Sequence, residues 1–286
     1  MNKNTLILGE SWPHTRAKTN LLAATGEVVR VLGPRGATLK NIAKLAEVTE
    51  PAIFRHFDGV DGLFDALCQV TTMYISYLIN QAKASKNTGL ALLEEYFLSK
   101  METLAADREF SAFIGFPEPL FADYPELKKK TASIRAEETK LITSAIKEAK
   151  TKGQLLASVD PDFAVLLYSG FEQSVINEWM KNWNSFNPAK EAQKLWKNFR
   201  TLIAKSDAPS AQHTPLQAKP YGKANEVEVE KTVKPSAKKA TAKTAKPTLK
   251  TATKAKAASK TSAKKPAKPA AKTTKPAKKP APAKKK

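Results

Sequence analysis

The chain of 286 residues carries 48 Lys and Arg against 27 Asp and Glu, a formal net charge of +21. Such an excess favours nucleic acid or another anionic surface as a partner. Twenty of the lysines and no acidic residue lie in 231–286, which leaves residues 1–230 nearly neutral, with 28 basic and 27 acidic groups. The single cysteine, Cys68, excludes an intramolecular disulfide and a cysteine-rich metal site.

The amino-terminal residues predict neither a secretory signal nor a membrane anchor. Their apolar run is too short for a signal sequence, and no window of about 18 apolar residues is available to span a bilayer. We therefore expect a cytoplasmic protein that does not use a membrane as a partner.

The first predicted helix covers 15–32 and is ended by Gly33 and Pro34. Apolar residues recur along it at spacings of three and four, namely Ala17, Leu21, Ala24, Val28 and Val31. Arg16 and Lys18 at its start either touch a phosphate or form an ordinary solvated helix end.

The stretch from Thr38 to Phe57 predicts two short helices joined by a tight turn, which is a helix-turn-helix. Thr38 suits an N-cap, and the first helix has an apolar face made of Leu39, Ile42, Ala43 and Ala46. Glu47 and Val48 form the turn. The second helix is capped by Thr49, has Pro51 in its first turn, and buries Ile53 and Phe57.

The second helix is left with a polar and aromatic outer face, made of Glu50, Ala52, Phe54, Arg55 and His56. Such a face suits a reader of the major groove, where Arg binds guanine edges and phosphates and small residues allow close approach. The alternative is an ordinary helical hairpin whose charges are solvated.

The stretch opens with Thr-apolar-x-x-Ile-Ala, turns at Val-Thr and closes with apolar-aromatic-x-His-Phe. The residues that carry this pattern are Thr38, Leu39, Ile42, Ala43, Val48, Thr49, Ile53, Phe54, His56 and Phe57. With its flanks, from about 14 to 74, the stretch resembles the DNA-binding domain of the tetracycline-repressor (TetR) family of bacterial regulators. The resemblance implies that Thr38, Phe54 and His56 contact the DNA backbone.

Three positions depart from the family pattern. Glu47 stands where the family usually has Gly, Phe54 replaces the common Tyr, and Val60 stands where a phosphate-binding Lys is usual. Phe54 has no hydroxyl to donate and Val60 makes no ion pair, so the affinity of this domain for the DNA backbone should be weaker than usual. The residues predicted to contact double-stranded DNA are Thr38, Lys40, Thr49, Glu50, Ala52, Phe54, Arg55 and His56.

The rest of the ordered chain is predicted to be helical. A long helix over 61–83 bridges two modules, and five further segments follow at 88–106, 108–121, 125–152, 161–183 and 188–205. The fold class is therefore all-α, with a three-helix DNA-binding domain over 14–74 and a helical domain over 75–205. The resemblance implies that the long helix transmits ligand binding in the second domain to the DNA-binding domains.

The last two predicted helices are candidates for dimerisation. The helix over 161–183 is apolar on more than one face, so it can pack on the core and still present an apolar patch to a second copy. With the helix over 188–205 this gives a four-helix interface, and the resemblance implies the same homodimer.

The helical domain also contains aromatic and flexible side chains that suit a small-molecule effector cavity: Met101, Phe113, Phe116, Tyr168, Phe171 and Trp179. The alternative for each is an ordinary core position. No catalytic motif, phosphate loop or dinucleotide fingerprint is present, so neither an enzyme nor a cofactor is predicted. The three histidines are too scattered to predict a metal site.

The end of the chain changes in composition. Residues 206–230 are predicted to be a linker, and 231–286 a disordered tail in which Lys, Ala, Pro and Thr make up 51 of 56 residues. The tail resembles those of linker histones and of bacterial histone-like proteins, and we expect it to bind DNA phosphates and associate the chain with the nucleoid. The alternative is a solubilising tail.

Three functions fit these features. The first is a homodimeric regulator that binds a palindromic operator. The second is a nucleoid-structuring protein in which the tail dominates. The third is a protein that attaches another cytoplasmic body to the chromosome, with the tail on DNA and the helical domain on the partner.

Overall fold

The computed structural model describes residues 5–110, 124–182 and 184–220. Eight α-helices make up most of these residues. They are α1 Arg16–Leu32, α2 Leu39–Leu45, α3 Glu50–Phe54, α4 Gly59–Ala84, α5 Gly89–Ala106, α6 Pro125–Thr151, α7 Pro161–Lys181 and α8 Pro188–Ile203. A short strand β1, Thr5–Leu6, pairs antiparallel with β2, Lys219–Pro220. Apart from this pair the all-α prediction is confirmed.

The helix boundaries follow from capping residues. The side chain of Asp160 accepts hydrogen bonds from the backbone N–H groups of Asp162 and Phe163, at 2.9 and 3.0 Å, and so starts α7. The side chain of Asn187 caps α8 in the same way. A proline that needs no donor stands in the first turn of α6, α7 and α8. The predicted segment 108–121 lies outside the described residues except for 108–110, which are helical.

Helix α5 lies at the centre of the helical bundle formed by α4 to α8, where it packs against α4, α6 and α8, while α7 packs against α6 and α8. One side of α4 is buried along its length, through Leu63, Phe64, Leu67, Thr71, Tyr74, Leu78 and Ile79. Cys68 is also buried, and this burial raises the pKa of its thiol to about 11. The thiol therefore fills core space. No helix in the described ranges is long and apolar enough to cross a membrane.

The prediction for α1 was wrong at both ends of its apolar face. Val31 is 59% exposed and Ala17 is exposed, whereas Leu22 and Val29 are completely buried. Ala17 and Val31 lie in the first and last turns of α1, whereas Leu21, Ala24 and Val28, which are buried, lie in its middle. The buried stripe is centred near Leu22 and Thr25.

Residues 206–220, predicted to belong to a linker, pack against the helical bundle, and we call this segment the strap. Glu94 of α5 accepts a hydrogen bond from the backbone N–H of Ala211, at 2.8 Å. Farther along the same helix, Glu102 accepts one from the N–H of Leu216, also at 2.8 Å. Beyond these contacts the strap reaches β1. The strap therefore runs along α5 to the amino-terminal residues.

Candidate nucleic-acid interface

Helices α2 and α3 and the turn between them form the predicted helix-turn-helix. Glu47 has a φ of 56°, the single positive value outside glycine in the described residues. The N–H of Val48 bonds to the carbonyl oxygen of Ala43 at 3.0 Å, which is the six-to-one bond of a Schellman turn. Glycine is favoured at the left-handed position of this turn, because any other side chain meets its own backbone there. The family's usual glycine at this position is thus explained by backbone geometry.

Replacing Glu47 with glycine should stabilise the chain by about 1 kcal/mol, because the left-handed backbone no longer carries a Cβ. Urea unfolding followed by circular dichroism measures the difference. Glu47→Ala is the matched control, since it removes the charge but keeps the Cβ, and its stability should stay near that of the wild type. Equal gains in both variants would mean that the charge, not the backbone, is unfavourable.

The predicted DNA-contacting residues fall into two groups. Most are exposed on the helix-turn-helix: Thr38, Lys40, Thr49, Glu50, Phe54 and Arg55. The hydroxyl of Thr38 accepts a bond from the N–H of Asn41 at 3.3 Å, so it caps α2 and keeps its own hydrogen for a phosphate. Ala52 and His56, expected outside, are half-buried and line a cleft against α1. The helical hydrogen bonding continues to Phe57, whose N–H bonds to the carbonyl oxygen of Ile53 at 3.0 Å. His56 therefore follows Ala52 by one helical turn and shares its half-buried side next to α1.

Helix α1 supports the helix-turn-helix from behind. It packs against α2. Ile42 of α2 and Ile53 of α3, which form the inner face of the helix-turn-helix, are completely buried. The ammonium of Lys18 lies 5.5 Å from the centre of the Phe57 ring, a cation–π contact. The apolar part of the prediction for this unit is therefore correct, and Lys18 has a structural contact besides any role at a phosphate.

A buried carboxyl that the sequence did not predict lies where the amino-terminal segment meets α4 and the end of α5. Asp107, at the end of α5, accepts hydrogen bonds from the backbone N–H of Ile7, at 2.7 Å, and from the hydroxyl of Tyr74 on α4, at 2.6 Å. Burial raises the pKa of Asp107 to about 6, although both hydrogen bonds act to lower it. The carboxyl therefore links the amino-terminal segment and α4 to the end of α5.

The predicted effector-cavity residues lie in the interior of the helical bundle of α4 to α8 where the structure describes them. Met101, Tyr168 and Trp179 are buried, and Phe171 is half-buried. The ring of Phe171 stacks on that of Phe199, with centroids 4.6 Å apart. Phe113 and Phe116 lie outside the described residues.

A buried group of charged residues and tyrosines lies in the same helical bundle. The ammonium of Lys100 on α5 lies 2.7 Å from a carboxylate oxygen of Glu138 on α6 and 2.7 Å from one of Glu172 on α7. The hydroxyls of Tyr96 and Tyr168 donate to Glu138 and Glu172 at 2.6 and 2.9 Å. Burial lowers the pKa of Lys100, but the two carboxylates outweigh this and raise it overall. We call these five residues the buried charge cluster.

Comparison with known proteins places this geometry in context. Residues 21–67 match the family model described as "Bacterial regulatory proteins, tetR family". The ketosteroid transcriptional regulator KstR2 of Mycobacterium tuberculosis has a similar fold, with a TM-score of 0.60, 14% identity, and coverage of 69% of this chain and 99% of that one.

Two further solved structures share the fold at lower TM-scores. The fatty acid degradation regulator FadR from Bacillus halodurans is 17% identical, with a TM-score of 0.51 over 66% of this chain and 96% of that one. NalD, the secondary repressor of the MexAB-OprM multidrug efflux pump in Pseudomonas aeruginosa, is 18% identical, with a TM-score of 0.50 over 67% and 97%. At such low identity these likenesses establish the fold only.

Proposed function

We propose that the chain is a repressor of the tetR family, whose model matches residues 21–67, and that it binds a palindromic operator as a homodimer and is released by a small ligand. The observation that carries this proposal is the helix-turn-helix, whose second helix exposes Phe54 and Arg55. We assign DNA binding to 14–74 and ligand binding and dimerisation to 75–205. Such a regulator acts at chromosomal DNA.

Arg55 is the residue we expect to read a base. It is exposed at the end of α3, and within the described chain its guanidinium has no hydrogen-bond or ion-pair partner. A free guanidinium at this place is available for the two acceptors of a guanine edge. We propose Thr38, Lys40 and His56 as contacts to the phosphate backbone, with Thr49, Glu50, Ala52 and Phe54 completing the interface.

Arg55→Ala should weaken operator binding by about 1–3 kcal/mol, because a bidentate base contact is lost. The operator is first selected from random oligonucleotides with the wild-type protein, and affinities for it and for random DNA are then measured by fluorescence anisotropy. Lys86→Ala, at an exposed position after α4, is the charge-matched control. Equal losses on operator and random DNA would make Arg55 a phosphate contact instead.

The proposed homodimer is supported by apolar side chains that the single chain leaves uncovered. Phe163 and Leu166 on α7 are 56% and 69% exposed, and Leu202 on α8 is 60% exposed. Large apolar side chains grouped on neighbouring helices are typical of an interface. A two-fold dimer would place two copies of α3 in successive major grooves, about 34–36 Å apart.

Leu166→Glu should convert the dimer to a monomer, because the interface would have to bury an unpaired carboxylate. Sedimentation velocity at micromolar concentration measures the change. Leu45→Glu alters a leucine of α2 that is 49% exposed and should leave the dimer intact. A wild-type chain that sediments as a monomer would remove the palindrome from the proposal.

We propose that the effector is a small, largely apolar molecule bound in the second domain beside Met101, Phe113, Phe116, Tyr168, Phe171 and Trp179. The buried aromatic side chains there support this class, since apolar ligands are bound mainly by such surfaces. The names of two structural neighbours, a ketosteroid regulator and a fatty acid degradation regulator, fit the same class of ligand.

The tail favours a second function. Its 20 lysines without an acidic residue give non-specific affinity for DNA by counterion release, as a nucleoid-structuring protein requires. Genome-wide footprinting separates the two functions: a few sharp sites indicate a regulator, and broad coverage indicates a structural role at the nucleoid.

A further inference from the structure

A cleft of about 620 Å³ lies between α5, α8 and the strap. Trp196 of α8 and Leu98 of α5 supply apolar surface to it, and Ala208 and His213 belong to the strap side. A volume of this size falls within the range of small-molecule sites in proteins. None of the residues proposed above for the effector cavity is among the lining residues of this cleft.

The strap is fixed over this cleft by polar contacts. The guanidinium of Arg200 donates hydrogen bonds to the carbonyl oxygen of Ala208 and to the hydroxyl of Ser210. His213 Nε2 lies 2.8 Å from a carboxylate oxygen of Glu102, and Glu94 binds the backbone of Ala211. The carboxylate of Glu94, which also lines the cleft, is thus engaged by the strap.

The charge that remains around the cleft is positive. Lys197, Arg200 and Lys205 line it together with the single carboxylate of Glu94. Lys197 and Lys205 are exposed, and within the described residues neither ammonium has an ion-pair partner. A ligand with a negative charge would therefore be attracted into this space.

Two buried nitrogens on the lining residues have no hydrogen-bond partner in the described part of the chain. They are Nε1 of Trp196, a side chain only 1% exposed, and Nδ1 of His213. Indole Nε1 can only donate, and the contact with Glu102 raises the pKa of His213 and so favours the form in which Nδ1 also donates. Buried donors without acceptors destabilise a protein, and acceptor atoms of a ligand would satisfy them.

We propose that this cleft binds a small carboxylate with an aromatic or apolar body. The body would pack on Trp196 and Leu98, and the carboxylate would accept from the unpartnered donors and pair with Lys197. This site goes beyond the proposed function, because neither operator binding nor the effector cavity depends on it.

The cleft also lies apart from the proposed dimer interface. Leu202 follows Trp196, Lys197 and Arg200 on α8 by six, five and two residues. At about 100° per residue, each of these spacings places Leu202 on a different side of the helix from the cleft residues. A ligand in the cleft and a second copy of the chain can therefore be bound at once.

The experiment uses 2-naphthoate as the probe and the uncharged 2-naphthamide as its matched control, each titrated into the full chain by calorimetry. The naphthoate should bind about tenfold more tightly, because its charge-assisted bonds are lost in the amide. Lys197→Met should remove most of that difference. Lys194→Met, on the same helix but not in the cleft lining, should leave both affinities unchanged.

A second measurement locates the probe. The four indole N–H signals are assigned by nuclear magnetic resonance from Trp→Phe variants, and naphthoate should shift the Trp196 signal most. A largest shift at Trp179 would place the probe in the effector cavity and overturn the proposal. Equal binding of both probes, equal effects of the two lysine variants, or no binding at millimolar concentration would overturn it as well.

Discussion

Replacing Lys100 with methionine should lower the free energy of unfolding by about 3–5 kcal/mol, the cost of leaving buried charges without their partner. Lys100, Glu138 and Glu172 are only 4%, 6% and 9% exposed. Removing the one ammonium leaves two carboxylates facing each other in the core. Equilibrium urea unfolding measures the loss.

Lys83→Met is the matched control for this prediction. Lys83 and Glu137 also form a 2.7 Å ion pair, but their side chains are 55% and 48% exposed, so the loss should stay below about 1 kcal/mol. Adding Glu138→Gln and Glu172→Gln to Lys100→Met should recover much of the stability, since no charge is then buried. If Lys100→Met and Lys83→Met lower the free energy of unfolding by the same amount, burial does not explain the contribution of the buried charge cluster to stability.

The stability of Lys100→Met relative to the wild type should change with pH in a defined direction. In the wild type, burial acts to raise the pKa of Glu138 and Lys100 acts to lower it. Without the ammonium, burial raises the pKa of the Glu138 carboxyl above that in the unfolded chain. The folded variant then binds protons more readily than the unfolded one, so its deficit relative to the wild type should shrink as the pH falls from about 8 to about 5. A deficit that grows over this interval would contradict the assignment of the loss to the carboxylates.

Removing residues 231–286 should flatten the salt dependence of DNA binding more than any single substitution in the helix-turn-helix. Each lysine that meets a phosphate adds about 0.9 to the slope of log affinity against log salt, so five engaged lysines per chain account for roughly 4–5. The loss should be largest on random DNA, while the preference for operator over random DNA is kept or increased. The reason is that lysines meet phosphates and not base edges.

The matched control keeps the length of the tail and changes its charge: all 20 lysines of the tail are replaced by glutamine. This variant should behave like the chain that ends at residue 230, and anisotropy titrations at several salt concentrations compare the two with the wild type. An unchanged slope in the shortened chain would place the tail away from DNA, and an acidic partner of another kind would then have to be sought.

Local patterns in the sequence predicted the helices well, because caps and breakers act on neighbouring residues. The helices predicted to begin at 161 and 188 do begin there, because Asp160 and Asn187 cap them and a proline follows each cap. The apolar spacing of Ile42, Ile53 and Phe57 gave the inner face of the helix-turn-helix for the same reason.

What the sequence did not predict depends on residues far apart in the chain. Lys100 meets Glu138 and Glu172 from two other helices, and Ile7 meets Asp107. No short-range pattern distinguishes these charged residues from solvated ones. The half-burial of His56 against α1 was not predicted, because the packing of α1 on the second helix is not a local pattern. The strap was predicted to be a linker because its proline-rich composition does not reveal the carboxylates of α5 that hold it.

The pairing of β1 with β2 has a consequence for how the chain is made. Leu6 is synthesised more than two hundred residues before Lys219, its partner in the pair. At about 5–20 residues per second, roughly 10–40 s pass on the ribosome between the two. During that time Leu6, Ile7 and Leu8, all buried in the finished fold, lack the strap that covers them. The amino-terminal segment can dock on Asp107 first, and arrival of the strap then completes the domain.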